Sequence, residues 1–305
     1  MVFLFKTYEK VWLWHIEATT MVDRPLCVYQ HGFRRGYSTE TCVTTMIQRV
    51  EYSIIKEDYV LAIFGDLEGA YDKVSYAIIH KTLQDWGFDP MFIKWFMFYL
   101  RNRTISITHK GVTVKRRCVR GVSQGSCLSP LIFAVVIDAL LTMFEFNIGD
   151  IPITDETGRQ LVPGKRRQRG NRPVQRGKVF TSGYADDICI YMSGTDLEEM
   201  QKQMQVVVDV ASQWAKDASL KFSPTKTKAM IFTRKRHFTK PPRLKLDGVE
   251  LKYCHQVLYL GLWVDHKLTW KYHVAEKIKA CKKILMAFVS VTGKRWGMSQ
   301  WSARY

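Results

Sequence analysis

Val179-Phe-Thr-Ser-Gly-Tyr184-Ala185-Asp186-Asp187-Ile188-Cys-Ile-Tyr-Met192 is the stretch on which the fold turns. Two short apolar runs, Val179 to Tyr184 and Ile188 to Met192, flank Ala-Asp-Asp, the pattern of two strands joined at a tight turn. Asp is poor in strands and adjacent Asp residues repel, so this pair among Tyr and Ile needs a compensating cation. For Asp-Asp alone, a polar hairpin tip in water is the plainer reading. A second strand-end carboxylate shifts that balance. Tyr59 to Phe64 reads as a short buried strand, and it leads into Gly65-Asp66. If the two segments are neighbours, Asp66, Asp186 and Asp187 converge at one edge of a sheet. Three carboxylates without His or Cys suit hard divalent cations such as Mg²⁺. A pair of such ions roughly 3.5–4 Å apart is the standard device for in-line phosphoryl transfer.

Working outward, Phe3 to Ile16 mixes aromatic and aliphatic residues with Lys and Glu and reads as a helix. After the loop Gly32 to Gly36, the Ser38/Thr39 cap signal opens a helix over Thr39 to Ile55. A helix from about Tyr71 carries Tyr76, Ile79, Leu83 and Trp86 on one face and stops at Gly87. Asp89-Pro90 starts another, to about Arg101. Thr104 to Thr108 and Val112 to Val119 alternate around Lys110-Gly111, a hairpin signal. An apolar helix follows Pro130 to about Phe146. Leu197, Met200, Met204, Val207, Ala211 and Trp214 form a helical stripe, its methionines read as core filler. Ala229 to Thr233 and Leu258 to Val264 read as strands, and Val274, Ile278, Cys281, Leu285 and Phe288 mark a closing helix. The order is α+β, an antiparallel sheet with packed helices, not a doubly wound parallel one.

Lys plus Arg number 46 against 28 acidic residues in 305, a formal charge of +18, which points to a polyanionic partner, nucleic acid before membrane. Apolar residues at 47% exclude wholesale disorder. Gly121 to Ile137, the longest charge-free stretch, is broken by Ser, Gln, Gly and Pro and is no membrane span. Lys6, Glu9 and Lys10 interrupt the apolar N-terminus too soon for a signal peptide. Seven dispersed cysteines with no CxxC argue for reduced core thiols in an intracellular, non-secreted protein, with nucleus and cytoplasm both open. Residues 149–178 hold Lys165, Arg166, Arg167, Arg169, Arg172, Arg176 and Lys178 and read as a flexible basic insertion, solvated or in contact with nucleic acid.

Phe64-Gly-Asp66-Leu-Glu-Gly-Ala-Tyr71-Asp, Gly121-Val-Ser-Gln124-Gly-Ser-Cys-Leu-Ser-Pro130 and Tyr184-Ala-Asp186-Asp187 resemble motifs A, B and C of reverse transcriptases. Leu220-Lys-Phe-Ser-Pro-Thr-Lys226-Thr-Lys-Ala-Met-Ile-Phe232 resembles motif D, and Tyr259-Leu-Gly-Leu262 motif E. Gln30-His-Gly-Phe-Arg34-Arg35-Gly-Tyr-Ser38-Thr-Glu is similar to the segment before motif A in non-LTR (LINE-type) retrotransposon polymerases. YADD alone is weak; six motifs in the family's order are strong. The resemblance implies a right-hand polymerase palm with partial fingers and the start of a thumb. Its divisions would be 3–58 partial fingers, 59–148 palm, 149–178 insertion, 179–236 palm, and 237–305 motif E with a truncated thumb.

The same resemblance implies the site. Asp66 and Asp186 would bind two Mg²⁺ ions (Mn²⁺ is an alternative), with Asp187 beside them and the Leu67 backbone carbonyl assisting. Tyr71 would lie against the sugar of a dNTP, leaving no room for a 2′-hydroxyl. Gln124 and Gly125 would lie beneath nucleotide and template, and Lys226, or instead Lys228, would approach the triphosphate. Arg34, Arg35, Tyr259 and Gly261 would touch nucleic acid. The partners are RNA template, DNA primer and dNTPs, with no membrane and no sign of an oligomer. Ser123 stands where the family usually has Pro, Ser223 where it has Asn, and Tyr37 where a basic residue is common. The expectation at the ends is a chain short of fingers, endonuclease and thumb. Two readings compete: RNA-templated DNA synthesis, and a silent relic that binds nucleic acid only. An intron-encoded maturase or a telomerase-like polymerase ranks below both.

Overall fold

The computed structural model describes residues 3–56, 59–144, 179–235 and 241–291. Helices α1 (Phe3–Ala18), α2 (Thr20–Asp23) and α3 (Thr39–Lys56) precede strand β1 (Tyr59–Asp66). Next come α4 (Ala70–Lys73), α5 (Tyr76–Asp85), α6 (Pro90–Arg101), the hairpin of β2 (Thr104–His109) and β3 (Val112–Arg117), and α7 (Ser129–Met143). Strands β4 (Val179–Tyr184) and β5 (Asp187–Gly194) are followed by α8 (Leu197–Asp217) and β6 (Lys228–Phe232). Short strands β7 (Lys245–Leu246), β8 (Val249–Glu250) and β9 (Lys252–Tyr253) lead to β10 (Gln256–Tyr259), β11 (Leu262–Asp265) and α9 (Lys271–Val291).

The main sheet runs β4-β5-β1-β6-β9, antiparallel except where β6 meets β9. β1 sits at its centre, and its side chains alternate between two cores as strand geometry requires. Leu61 and Ile63 join Ile190, Met192 and Ile231 under α5, α6, α7 and α8. Val60, Ala62 and Phe64 join Tyr191, Met230 and Phe232 under α3, with Val257 and Tyr259 closing that side. Burial on both faces is why β1 reads as a continuous apolar run rather than an alternating one. Helix α7 is buried from Leu131 through Ile137 without a break, which accounts for its lack of a polar face.

Two sequence readings are corrected. The helix expected from Tyr71 to Trp86 is two helices, interrupted at Val74-Ser75, where the Ser75 hydroxyl accepts from the Ala77 amide at 3.2 Å and caps α5. The strand expected over Leu258 to Val264 is the β10–β11 hairpin, turned at Leu260 (φ 49°) and Gly261 (φ 81°), a pair of left-handed residues of the kind that matches strand twist. The apolar repeat of α9 faces solvent among the described residues: Val274, Ile278 and Leu285 are each at least half exposed. The basic insertion at 149–178 lies outside the described residues.

Candidate active site

Pairing register builds the carboxylate cluster. β1 runs against β5 from Tyr59 opposite Gly194 to Asp66 opposite Asp187. β4 and β5 close through a two-residue turn, Ala185-Asp186, so Asp186 stands at the hairpin tip beside both. Ala185 is left-handed at φ 58°, a strained conformation for a residue with a side chain. A second segment supports that turn. The His31 amide donates to the Gly183 carbonyl at 2.8 Å, and the Gly183 amide donates to the Tyr29 carbonyl at 2.9 Å. A Cβ on Gly32 would lie 2.5 Å from the Ala185 nitrogen, so only glycine lets the two backbones approach this closely.

Three carboxylates at one strand end repel. Asp187 shows it: desolvation, then the charges of Asp186 and Asp66, raise its pKa to about 6. Asp66 Oδ2 is buried with no hydrogen-bond partner, and the Lys226 ammonium stands 3.4 Å from it as an ion pair. Lys226 reaches this position because the chain before β6 bulges. Phe64 pairs with Lys228, yet Leu67 pairs with Phe222, so three steps along β1 match six on the partner. Pro224, Thr225 and Lys226 loop out in the excess, and the Thr227 hydroxyl accepts from the Asp66 amide at 3.4 Å. Lys228 stays in the ladder. Around the Leu67–Phe222 pair, the bonds run from the Glu68 amide to the Lys221 carbonyl and from the Ser223 amide to the Asp66 carbonyl, both at 2.9 Å. That makes Leu67 a non-hydrogen-bonded member of the pair, so its own carbonyl points to the other side, where β5 lies.

Tyr71, on α4, stacks on Phe133 at 4.6 Å and meets Phe33 edge-on at 6.4 Å. Its hydroxyl is buried without a partner, and burial together with the Asp186 charge holds the phenol well above its ordinary pKa. The motif B segment is laced onto this turn. The Gly121 amide donates to the Val74 carbonyl at 2.8 Å and the Val122 amide to the Tyr71 carbonyl at 2.7 Å. Gln124 Nε2 then donates to both oxygens of Asp72, at 3.1 and 3.2 Å, and Gly125 beside it is exposed at φ 91°. Asp66, Asp186, Asp187 and Lys226 thus gather at one strand end, with Leu67 following Asp66 and Tyr71 near Asp186, while Gln124 is held to Asp72, next to Tyr71 in sequence.

Other candidates sit elsewhere. Arg34 turns inward: its Nη1 donates to the Leu26 and Cys27 carbonyls at 3.1 and 3.0 Å, and its guanidinium lies 4.2 Å over the Tyr37 ring. Arg35 is exposed. Tyr259 points into the core, its ring 5.2 Å from Phe64 and its hydroxyl donating to the Ser182 carbonyl at 3.2 Å. Its side chain is therefore closed to nucleic acid, and the turn offers only Leu260 and Gly261. Sequence reasoning missed Gly32 as a support of the turn and Asp72 as the anchor of Gln124. Both lie inside the motif segments, but their roles depend on contacts with chain segments distant in sequence.

The donor types fit a hard divalent ion: a buried carboxylate oxygen of Asp66 that has no hydrogen-bond partner and only the Lys226 ammonium beside it, a carbonyl at Leu67, and the like-charged Asp186 and Asp187. Among the described residues no group of three or more His, Cys, Asp or Glu side chains is placed to hold a metal ion by itself, so an ion here would need oxygens from other molecules as well.

Comparison with known proteins gives the family. The family described as "Reverse transcriptase (RNA-dependent DNA polymerase)" matches residues 1–264. "Probable RNA-directed DNA polymerase from transposon BS" of Drosophila melanogaster is 26% identical over 280 residues, 91% of this chain and 28% of that protein. "RNA-directed DNA polymerase from mobile element jockey" of Drosophila funebris is 23% identical over 273 residues, 89% of this chain and 27% of that protein. The chain spans about a quarter of the length of these curated relatives. Telomerase from Candida Tropicalis in complex with a TWJ fragment of telomeric RNA aligns with a TM-score of 0.54 at 12% identity, covering 86% of this chain and 36% of that one. The apo form gives 0.51 at 12% identity, over 87% and 39%. With the fold of a right-hand polymerase and the family match over most of its length, the chain belongs to the reverse transcriptase family.

Proposed function

We propose that this chain carries out RNA-templated DNA synthesis as the polymerase part of a non-LTR retrotransposon protein. The observation that carries the reading is the register that sets Asp66 opposite Asp187 with Asp186 at the adjoining turn. In the reaction, the primer 3′-oxygen bonds to the α-phosphorus of a dNTP, the bond to the bridging oxygen breaks, and pyrophosphate leaves. Asp66, Asp186 and the Leu67 carbonyl would hold two Mg²⁺ ions, with Mn²⁺ as substitute. Bound there, the ions lower the pKa of the attacking hydroxyl and neutralise charge growing on the phosphate.

The chain's own groups do the rest. The Tyr71 ring, fixed between Phe133 and Phe33, forms a wall against a ribose 2′-hydroxyl. Gln124, oriented by Asp72, presents its remaining amide oxygen toward a base or sugar. Lys226, already drawn to Asp66, supplies positive charge and a proton to the departing pyrophosphate. Gly125 and Arg35 would border the template path. The test is extension of a DNA primer on an RNA template with Mg²⁺ and dNTPs, beside Asp186→Ala. The native chain should extend the primer and the variant should not, while both bind the hybrid equally. Equal extension by both would refute the assignment; binding with no extension by either would leave a nucleic-acid binder.

A further inference from the structure

Among the described residues no other strand pairs with the ribbon of β2 and β3. All twelve of its strand residues are exposed. From Pro90 to Ile137 the sequence has eight Lys and Arg residues and no acid, and five of the eight lie from Arg103 to Arg117, in the ribbon and at its root. Opposite residues share a face, so register sorts the side chains. One face carries Ile105 with Arg116, Ile107 with Val114, and His109 with Val112. The other carries Thr104 with Arg117, Ser106 with Lys115, and Thr108 with Thr113.

A two-stranded hairpin without cover is marginal in water. This one is held at its root instead. Arg117 Nε donates to the Arg101 carbonyl, the Cys118 amide donates to the Arg103 carbonyl at 2.9 Å, and Arg103 donates to the Gly121 carbonyl. Gly121 opens the segment bonded to α4, so the ribbon rises directly from the loop that carries Gln124. Lys110, Lys115 and Arg116 enter no ion pair among the described residues.

We infer that the β2–β3 ribbon holds the unpaired RNA template as it approaches the active site. The strand's identity as template rests on the function proposed above; the binding chemistry does not. Charge selects a polyanion, and the Ser, Thr and Lys face is made of the groups that bond phosphate oxygens. The apolar face decides between duplex and single strand. A duplex hides its bases and would leave Ile105, Ile107, Val112 and Val114 in water, whereas an unpaired strand exposes base faces that such side chains cover.

The experiment measures anisotropy of a labelled RNA–DNA hybrid with an unpaired RNA extension of about 12 nucleotides, and of the same hybrid blunt, across a salt series. Native chain, Lys115→Ser with Arg116→Ser, Ile107→Thr with Val114→Thr, and a control with Lys81→Ser and Lys202→Ser are compared after a melting check. The cationic variant should bind the extended hybrid about tenfold more weakly, with the slope of log affinity against log salt reduced by about 1.4 for two lost phosphate contacts. The apolar variant should lose affinity for the extended hybrid at unchanged slope, and neither should change on the blunt hybrid. Equal losses on both hybrids, a loss as large in the control, or no loss at all overturns the inference. So does self-association of the native chain that disappears in the apolar variant with RNA affinity intact. A native chain that fails to extend primers yet gives the expected pattern keeps the ribbon's role and defeats the polymerase reading.

Discussion

Glu9 shows how much a single side chain can conceal in sequence. Read along the chain it is one of the charges that interrupt an apolar N-terminus; in the structure it is fully buried. Its Oε1 accepts from the Ser126 hydroxyl at 2.6 Å, whose oxygen in turn accepts from the Leu128 amide at 3.2 Å, and Oε2 has no partner. It ties α1 to the start of α7 behind Gln124. Glu9→Ala should lower stability by about 2–3 kcal/mol, because it opens a hole and strands a buried hydroxyl, whereas Glu9→Gln should retain most of it. Urea midpoints of the two variants check this, and equal midpoints would contradict it. Gly32→Ala should put its methyl into the Ala185 backbone and cut primer extension at least tenfold in a chain that still folds. Native rates from that variant would show the turn to be more yielding than described. Asp187 supplies a pH dependence. Its pKa rises from 3.8 unfolded to about 6 folded, so its contribution is fully present below about pH 4 and lost as pH climbs through 6. The metal-free protein should therefore melt at a lower temperature at pH 7 than at pH 5 from this group, and Asp187→Asn should flatten that fall. Melting curves at the two pH values measure it.

Among the elements, legibility followed burial in some cases and local cap or turn chemistry in others. β1 and α7 were readable because burial on all sides leaves runs that only apolar residues fill, and α6 because Asp89 caps it, accepting from the Met91 amide at 2.6 Å. The β2–β3 hairpin announced its turn through Lys110-Gly111, both left-handed. The single helix from Tyr71 to Trp86 was misread because spacing of Tyr76, Ile79, Leu83 and Trp86 is blind to a break upstream of them. Ser75 carried the missed signal. The β10–β11 hairpin was misread because its apolar residues continue through the turn, so Gly261 looked incidental. The bulge before β6 was not legible at all: it exists only as a mismatch between two strands far apart in sequence. It does give a prediction. Lys226→Ala should slow nucleotide incorporation about tenfold or more, as loss of a charged transition-state contact does, while Lys228→Ala, confined to the ladder, should change it little. Single-nucleotide incorporation rates separate the two.

For the whole molecule, charge and family were readable from composition and motif order, whereas the geometry of the cluster required the sheet. Placing Asp66 beside Asp187 depends on a pairing no local pattern encodes, and the support from Gly32 depends on a third segment again. The same pairing governs how the protein is made. β4 and β5 can close on each other within microseconds, since only two residues separate them. β1 must wait for a partner roughly 120 residues later in the chain, and β6 is later still. During synthesis, β1 leaves the ribosome as an apolar strand with both neighbours still to come. The carboxylates cannot meet until that strand is flanked, so a chain interrupted before β5 presents no partial site to scavenge metal. Assembly of the carboxylate cluster therefore waits on the pairing of β1 with β5, and the central sheet is completed only afterwards, when β6 joins.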